Sequence, residues 1–244
     1  MTKIVTVAAA KGGVGKTTMA YELAYLLDAP LVDLDWDRGD RGGATGSAWG
    51  YRVRDRVGAP ILDAFEKGRT PRLLRGKRKP DLVPSHPDLE ANQPPPGDVA
   101  DALEKWAAEW ARPFVVVDTH PGAGEVTFGA MSASEVIVVP TVLRTKELDG
   151  LGGMLEEFSG YPLLLIPNKV PRIPPARELA RVRRMRMEAD VQVGPVIADH
   201  GSWLRSRKAK VALTSYPPPE PARIARIAAD LRAVADAVRS FRDG

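Results

Sequence analysis

Short, nearly continuous apolar runs alternate along this chain with longer segments in which apolar residues return every third or fourth position. The runs predict strands at 4–9, 30–34, 81–84, 114–118, 136–140, 163–167 and 193–197. The periodic segments predict helices at 16–27, 61–67, 99–111, 146–158, 175–188, 202–210 and 222–242. Strands that are apolar on both faces belong in a sheet covered on both sides. Regular alternation of strand and helix makes that sheet parallel. The expected fold is α/β, a mostly parallel twisted sheet with helices on both faces. Proline-rich stretches at 93–97 and 216–221 read as stiff connectors. One domain spanning residues 1–244 is expected, with no helix-turn-helix domain ahead of the first strand.

The last predicted helix carries Ile224, Ile227, Leu231, Val234, Val238 and Phe241 at steps of three and four, a single apolar stripe. A membrane-surface helix would flank such a stripe with cations. Here Asp230, Asp236 and Asp243 dilute Arg223, Arg226, Arg232, Arg239 and Arg242, so the stripe is expected to pack on the sheet.

Composition narrows the chemistry. The chain has 244 residues and no cysteine, which excludes disulfides, thiol catalysis and cysteine-held iron–sulfur clusters. No run approaches the roughly 18 apolar residues of a membrane span, and no signal peptide is visible. A cytoplasmic protein is expected. The net charge of +4 is modest, but its distribution is uneven. Arg69, Arg72, Arg75, Lys77, Arg78 and Lys79 fall together without an acid. Arg172, Arg177, Arg181, Arg183, Arg184 and Arg186 share their stretch with Glu178 alone. Arg205, Arg207, Lys208 and Lys210 form a third cluster. Clustered cations suit a polyanionic partner.

Between the first strand and the first helix lies Lys11-Gly12-Gly13-Val14-Gly15-Lys16-Thr17-Thr18. A Gly-rich turn in that position is a phosphate-binding loop. The glycines let successive N–H groups of Gly12, Gly13, Val14 and Gly15 point inward onto phosphate oxygens, with the helix N-terminus behind them. Lys16 reaches the β- and γ-phosphates, the Thr17 hydroxyl sits on Mg²⁺, and Thr18 donates to the α-phosphate. The expected ligand is a nucleoside triphosphate with Mg²⁺. Two further strands end in acids. Asp33 and Asp35, two apart, share one side of their strand. Asp118 ends the run Phe114-Val115-Val116-Val117, and an acid there holds Mg²⁺.

The arrangement Lys-Gly-Gly-x-x-x-Lys-Thr at Lys11 to Thr17 resembles the deviant Walker A ATPases, a P-loop family that includes the ParA DNA-partition proteins and MinD. The resemblance extends over nearly the whole chain and is weakest in its last third. It implies ATP and Mg²⁺ as cofactors and a nucleotide-sandwich homodimer in which Lys11 reaches the partner's phosphates, so that Lys11, Lys16 and Asp35 carry catalysis. It implies that Asp35 orients the attacking water and that Asp33 supports the Mg²⁺ site with Thr17 and Asp118. Asn168 matches the family position that reads the adenine edge, and Pro217 the loop that packs by the base. Ala10 stands where the common phosphate-binding loop has a glycine. From the family's own motifs two departures stand out: Trp36-Asp37 replaces Pro-Gln after Asp35, and His120 replaces a proline in Asp118-Thr119-His120-Pro121-Gly122. His120 is read as a neutral loop residue rather than a general base.

The function the resemblance implies is ATP-dependent partition of a plasmid or chromosome. The ATP-bound dimer would bind DNA non-specifically, and a ParB-like or other small centromere-binding protein would stimulate hydrolysis and release it. Candidate DNA contacts are Arg183, Arg184, Arg186, Arg205, Arg207 and Lys208. The expected location is the cytoplasm, on the nucleoid. A MinD-like ATPase working on the membrane surface is the alternative, and a small-molecule ligase on the same scaffold is a third class.

Overall fold

The computed structural model describes residues 2–36, 49–51, 61–122, 124–201 and 210–241. The strands are β1 (Lys3–Val7), β2 (Leu31–Leu34), β3 (Leu82–Val83), β4 (Phe114–Thr119), β5 (Val136–Val142), β6 (Leu163–Asn168) and β7 (Gln192–Val193). The helices are α1 (Lys16–Leu26), α2 (Ile61–Glu66), α3 (Pro96–Trp110), α4 (Glu125–Ser132), α5 (Thr145–Glu157), α6 (Ala176–Ala189) and α7 (Ala222–Ser240). The strands form one sheet in the order β3-β2-β4-β1-β5-β6-β7, and every pairing between them is parallel. β1 therefore sits mid-sheet between β4 and β5. The chain leaving its carboxyl end enters the crevice where ligands bind in sheets of this kind.

Alternation along the strands builds two apolar layers. Val5, Val7, Leu31, Val116, Val136, Val138, Leu164 and Ile166 face one side and pack with α1 and α7. Ile4, Val32, Leu34, Val115 and Val117 face the other, under α2, α3 and α4. Ile137, Val139, Leu163 and Leu165 continue that second layer under α5 and α6. The predicted stripe of the last helix, Ile224 to Phe241, is buried in the layer shared with α1. Among the described residues of α7, no large apolar side chain is left exposed. Among the described residues no helix is long and apolar enough to cross a membrane.

α1 is covered on several sides and carries a fully buried acid, Glu22. Its carboxylate accepts from the backbone N–H of Leu213 at 2.7 Å and from the Thr214 hydroxyl at 3.1 Å. This ties α1 to the turn that leads into α7.

Three elements differ from the sequence expectation. α3 begins at Pro96, inside the presumed stiff connector, because proline is well suited to the first turn of a helix. β7 stops at Val193, where Gly194 and Pro195 follow. α4 has no counterpart in the sequence reading, since its eight residues include Gly129 and make too short a pattern. The helix expected at 202–210 lies outside the described residues, apart from Lys210.

Candidate nucleotide site

The loop after β1 turns through Gly13 (φ 78°) and Gly15 (φ 103°), a region that favours glycine. α1 starts at Lys16 with no side-chain cap and no acid in its first turn. The free N–H groups and positive end of the helix dipole are thus left for an anion. A Cβ on Gly15 would lie 2.6 Å from Asn168 Nδ2, which closes this position to larger residues.

The end of β6 is fastened to this loop. Asn168 Nδ2 donates to the Val14 carbonyl at 2.8 Å, and Lys169 Nζ donates to the Gly13 carbonyl at 2.5 Å. Asn168 Oδ1 accepts from the Lys169 backbone N–H at 2.9 Å. An amide has four hydrogen-bonding positions, so Asn168 keeps capacity for a base after making these bonds. A cavity of about 480 Å³ runs from Gly12, Gly13, Gly15 and Thr18 past Asn168 to Ile197, His200 and Leu231. Its volume suits a small-molecule ligand. Pro217 is exposed and is not among its lining residues; the segment from Ile197 to Gly201 stands there instead. In the sequence that segment carries no sign of a lining, since 193–197 reads as strand and 198–201 has no period.

Three carboxylates gather at the carboxyl ends of β2 and β4. Asp33 and Asp118 are in register on neighbouring strands, and both are fully buried. Asp33 Oδ1 accepts from the Asp35 backbone N–H at 3.1 Å. Lys16 is buried beside this group. Burial lowers its pKa from the ordinary lysine value, while the charges of Asp118 and Asp35 oppose the shift. Buried hard oxygens on strand ends beside a helix N-terminus fit a Mg²⁺ ion accompanying phosphates.

Asp35 has a further partner. His120 Nδ1 lies 2.8 Å from Asp35 Oδ1, and the His120 ring stacks on Trp36 with centroids 4.1 Å apart and planes 15° apart. The expected neutral loop residue is thus engaged with the candidate catalytic acid. Trp36 and His120 both depart from the family's motifs, but only the strand order brings them together.

Lys11 is exposed, and its Nζ donates to the Lys146 carbonyl in the first turn of α5 at 2.7 Å. Arg183, Arg184 and Arg186 are exposed on α6, where Val182 is the buried residue. Arg205, Arg207 and Lys208 lie outside the described residues. Arg69 to Lys79 precede β3 at one edge of the sheet, while α6 leads into β7 at the other, roughly 30 Å away at the usual strand spacing. Among the described residues these two clusters do not form one patch.

The chain is 30% identical over 168 residues to the chromosome partitioning protein ParA of Caulobacter vibrioides, covering 61% of this chain and 59% of that protein. It is 28% identical over 162 residues to ParA of Myxococcus xanthus, covering 61% and 55%. Over this stretch the chain is similar to the ParA partitioning proteins. It spans little more than half the length of these relatives. No family model matches it. Among solved structures, the ATP complex of a single-residue variant of Cyanothece McdA superposes with a TM-score of 0.74 at 16% identity, covering 100% of this chain and 98% of that one. MinD from Pyrococcus horikoshii, complexed with Mg-ADP, superposes with a TM-score of 0.72 at 19% identity, covering 98% and 97%. The chain shares its fold with McdA and MinD.

Proposed function

We propose that this chain is a ParA-type partition ATPase that hydrolyses Mg-ATP and moves a plasmid or chromosome. The observation that carries this reading is that the Gly12–Thr18 loop borders a ligand-sized cavity through its glycines and Thr18, while its buried Lys16 feels the charges of Asp35 and Asp118, and Asp118 lies in register with Asp33. The ParA relatives support the partition role. Gly12, Gly13, Val14 and Gly15 would cradle the phosphates through their N–H groups, Lys16 would counter their charge, and Thr18 would bind the α-phosphate. Asn168 would meet the base, with Ile197 and Leu231 as apolar walls. Thr17, Asp33 and Asp118 would hold Mg²⁺, which supplies charge neutralisation at the phosphates when bound. Asp35 would orient the attacking water.

In this reading ATP joins two copies face to face, and Lys11 of each leaves the Lys146 carbonyl to contact the other's nucleotide. A cation supplied in trans acts as an arginine finger does, so dimerisation and hydrolysis become one event. The dimer would then gather cationic clusters from both subunits on non-specific DNA, and a small centromere-binding protein would trigger hydrolysis and release. Work on the nucleoid in the cytoplasm follows from this role. The whole chain would act as one ATPase domain. A MinD-like membrane role loses its main support, because the α7 stripe is buried against α1 and the sheet.

DNA retardation with ATP, ADP and no nucleotide tests the reading. Retention with ATP alone supports it, and equal binding in all three conditions contradicts it.

A further inference from the structure

We propose that His120 is a positioning residue for the Asp35 carboxylate, and that Trp36 holds the His120 ring in place for that task. The inference rests on the hydrolytic reading of Asp35 given above, and it concerns residues that the ParA and MinD pattern does not contain. In that pattern prolines follow the second acid of β2 and the threonine of β4. Here both prolines are replaced, and the two replacements touch each other.

The geometry is specific. Asp35 and Trp36 leave the end of β2, and His120 leaves the end of β4, the neighbouring strand. Asp35 is 7% exposed and Trp36 is 8% exposed. A carboxylate offers only lone pairs, so Nδ1 is assigned as the donor in the 2.8 Å contact with Oδ1. That bond fixes one carboxylate oxygen and leaves the rotation of the group little freedom. The indole of Trp36, stacked at 4.1 Å, fixes the plane of the imidazole in turn. Trp36 is itself backed by the start of α4, since a Cβ on Gly124 would lie 3.3 Å from its Cη2. Two proline-stiffened turns are thus replaced by a contact that joins the ends of two strands.

An acid that orients water contributes through position, and small misplacements are costly in rate. His120 would therefore act on turnover and leave nucleotide affinity alone. Asparagine at 120 can present an N–H where Nδ1 stands but has no second ring nitrogen, so it separates positioning from proton transfer.

The experiment measures kcat, Mg-ATP affinity and melting temperature for wild type, His120→Ala, His120→Asn and Trp36→Leu. Positioning predicts a fall in kcat of about 10- to 100-fold for His120→Ala with affinity within about twofold. It predicts return to within about threefold of wild type for His120→Asn, and an intermediate loss for Trp36→Leu. Unchanged kcat in His120→Ala, or a loss appearing only in KM, overturns the proposal. So does failure of His120→Asn to restore turnover in a protein with normal melting and affinity, because His120 would then act through its other nitrogen.

A second readout does not depend on hydrolysis. Long-range ¹H–¹⁵N spectra of the three histidines should show His120 protonated at Nδ1, and Asp35→Asn should shift that signal. A proton on Nε2 instead overturns the pairing even if the wild type turns over ATP. A wild type without ATPase activity whose His120 signal is as expected would retire the hydrolytic reading of Asp35 and, with it, the proposal.

Discussion

Lys11 Nζ donates to the backbone carbonyl of Lys146 at 2.7 Å, which parks the first lysine of the loop on the first turn of α5 within the same chain. The same side chain passes close to Gly150, where a Cβ would meet Lys11 Cε at 3.1 Å. This contact is on the surface and costs little to break. Lys11→Ala should therefore bind Mg-ATP as a monomer within about threefold of wild type, and should lose about 10³-fold in kcat, the scale of an arginine finger. Calorimetric binding and steady-state phosphate release check the two halves.

Gly15 and Asn168 join the loop to the end of β6. Gly15→Ala places a methyl group against Asn168 Nδ2 at a backbone conformation that alanine rarely adopts. The expected outcome is a loss of nucleotide affinity of tenfold or more, measured by calorimetry, in a protein that still melts cooperatively.

Much of this was legible in the sequence. Continuous apolar runs marked β1 to β6, whose interiors are buried, whereas β7 is two exposed residues of which only Val193 falls in the expected run. The glycine spacing and Gly15-Lys16-Thr17 located the loop. The alternation rule placed Asp33 and Asp35 together, but only the register of β2 on β4 put Asp33 opposite Asp118. The His120–Asp35–Trp36 contact was not legible, because it joins positions 85 residues apart whose meeting depends on strand order. The lining at Ile197 to Gly201 was hidden for a similar reason, as an irregular segment has no period to read.

Glu22 is a structural acid. Glu22→Gln replaces one acceptor oxygen with an amide that faces the donors of Leu213 and Thr214. A buried mismatch of this kind costs about 1–3 kcal/mol. Thermal melting should fall by roughly 5 °C, with nucleotide affinity unchanged.

Val238 is fully buried on the face of α7 that meets the core. Val238→Asp should lower the melting temperature by about 10 °C or more, because an unpaired carboxylate would have to be buried. Neither wild type nor variant should sediment with anionic liposomes. A variant that melts normally while losing liposome binding would restore the membrane reading.

Arg183, Arg184 and Arg186 are exposed on α6. Each replacement by alanine should weaken ATP-dependent DNA binding uniformly across sequences and reduce the log–log salt slope by about one. Fluorescence anisotropy over a salt series reads both.

The central claim is that each copy of this chain completes its neighbour's nucleotide site. Mixing Lys11→Ala with Asp35→Ala tests it, each variant being nearly inactive alone. In a mixed dimer the Lys11→Ala site keeps its own Asp35 and receives Lys11 from the other subunit. Random assortment then predicts about a quarter of wild-type ATPase activity in the equimolar mixture. A mixture as inactive as its components would show that Lys11 serves its own subunit and would contradict the account.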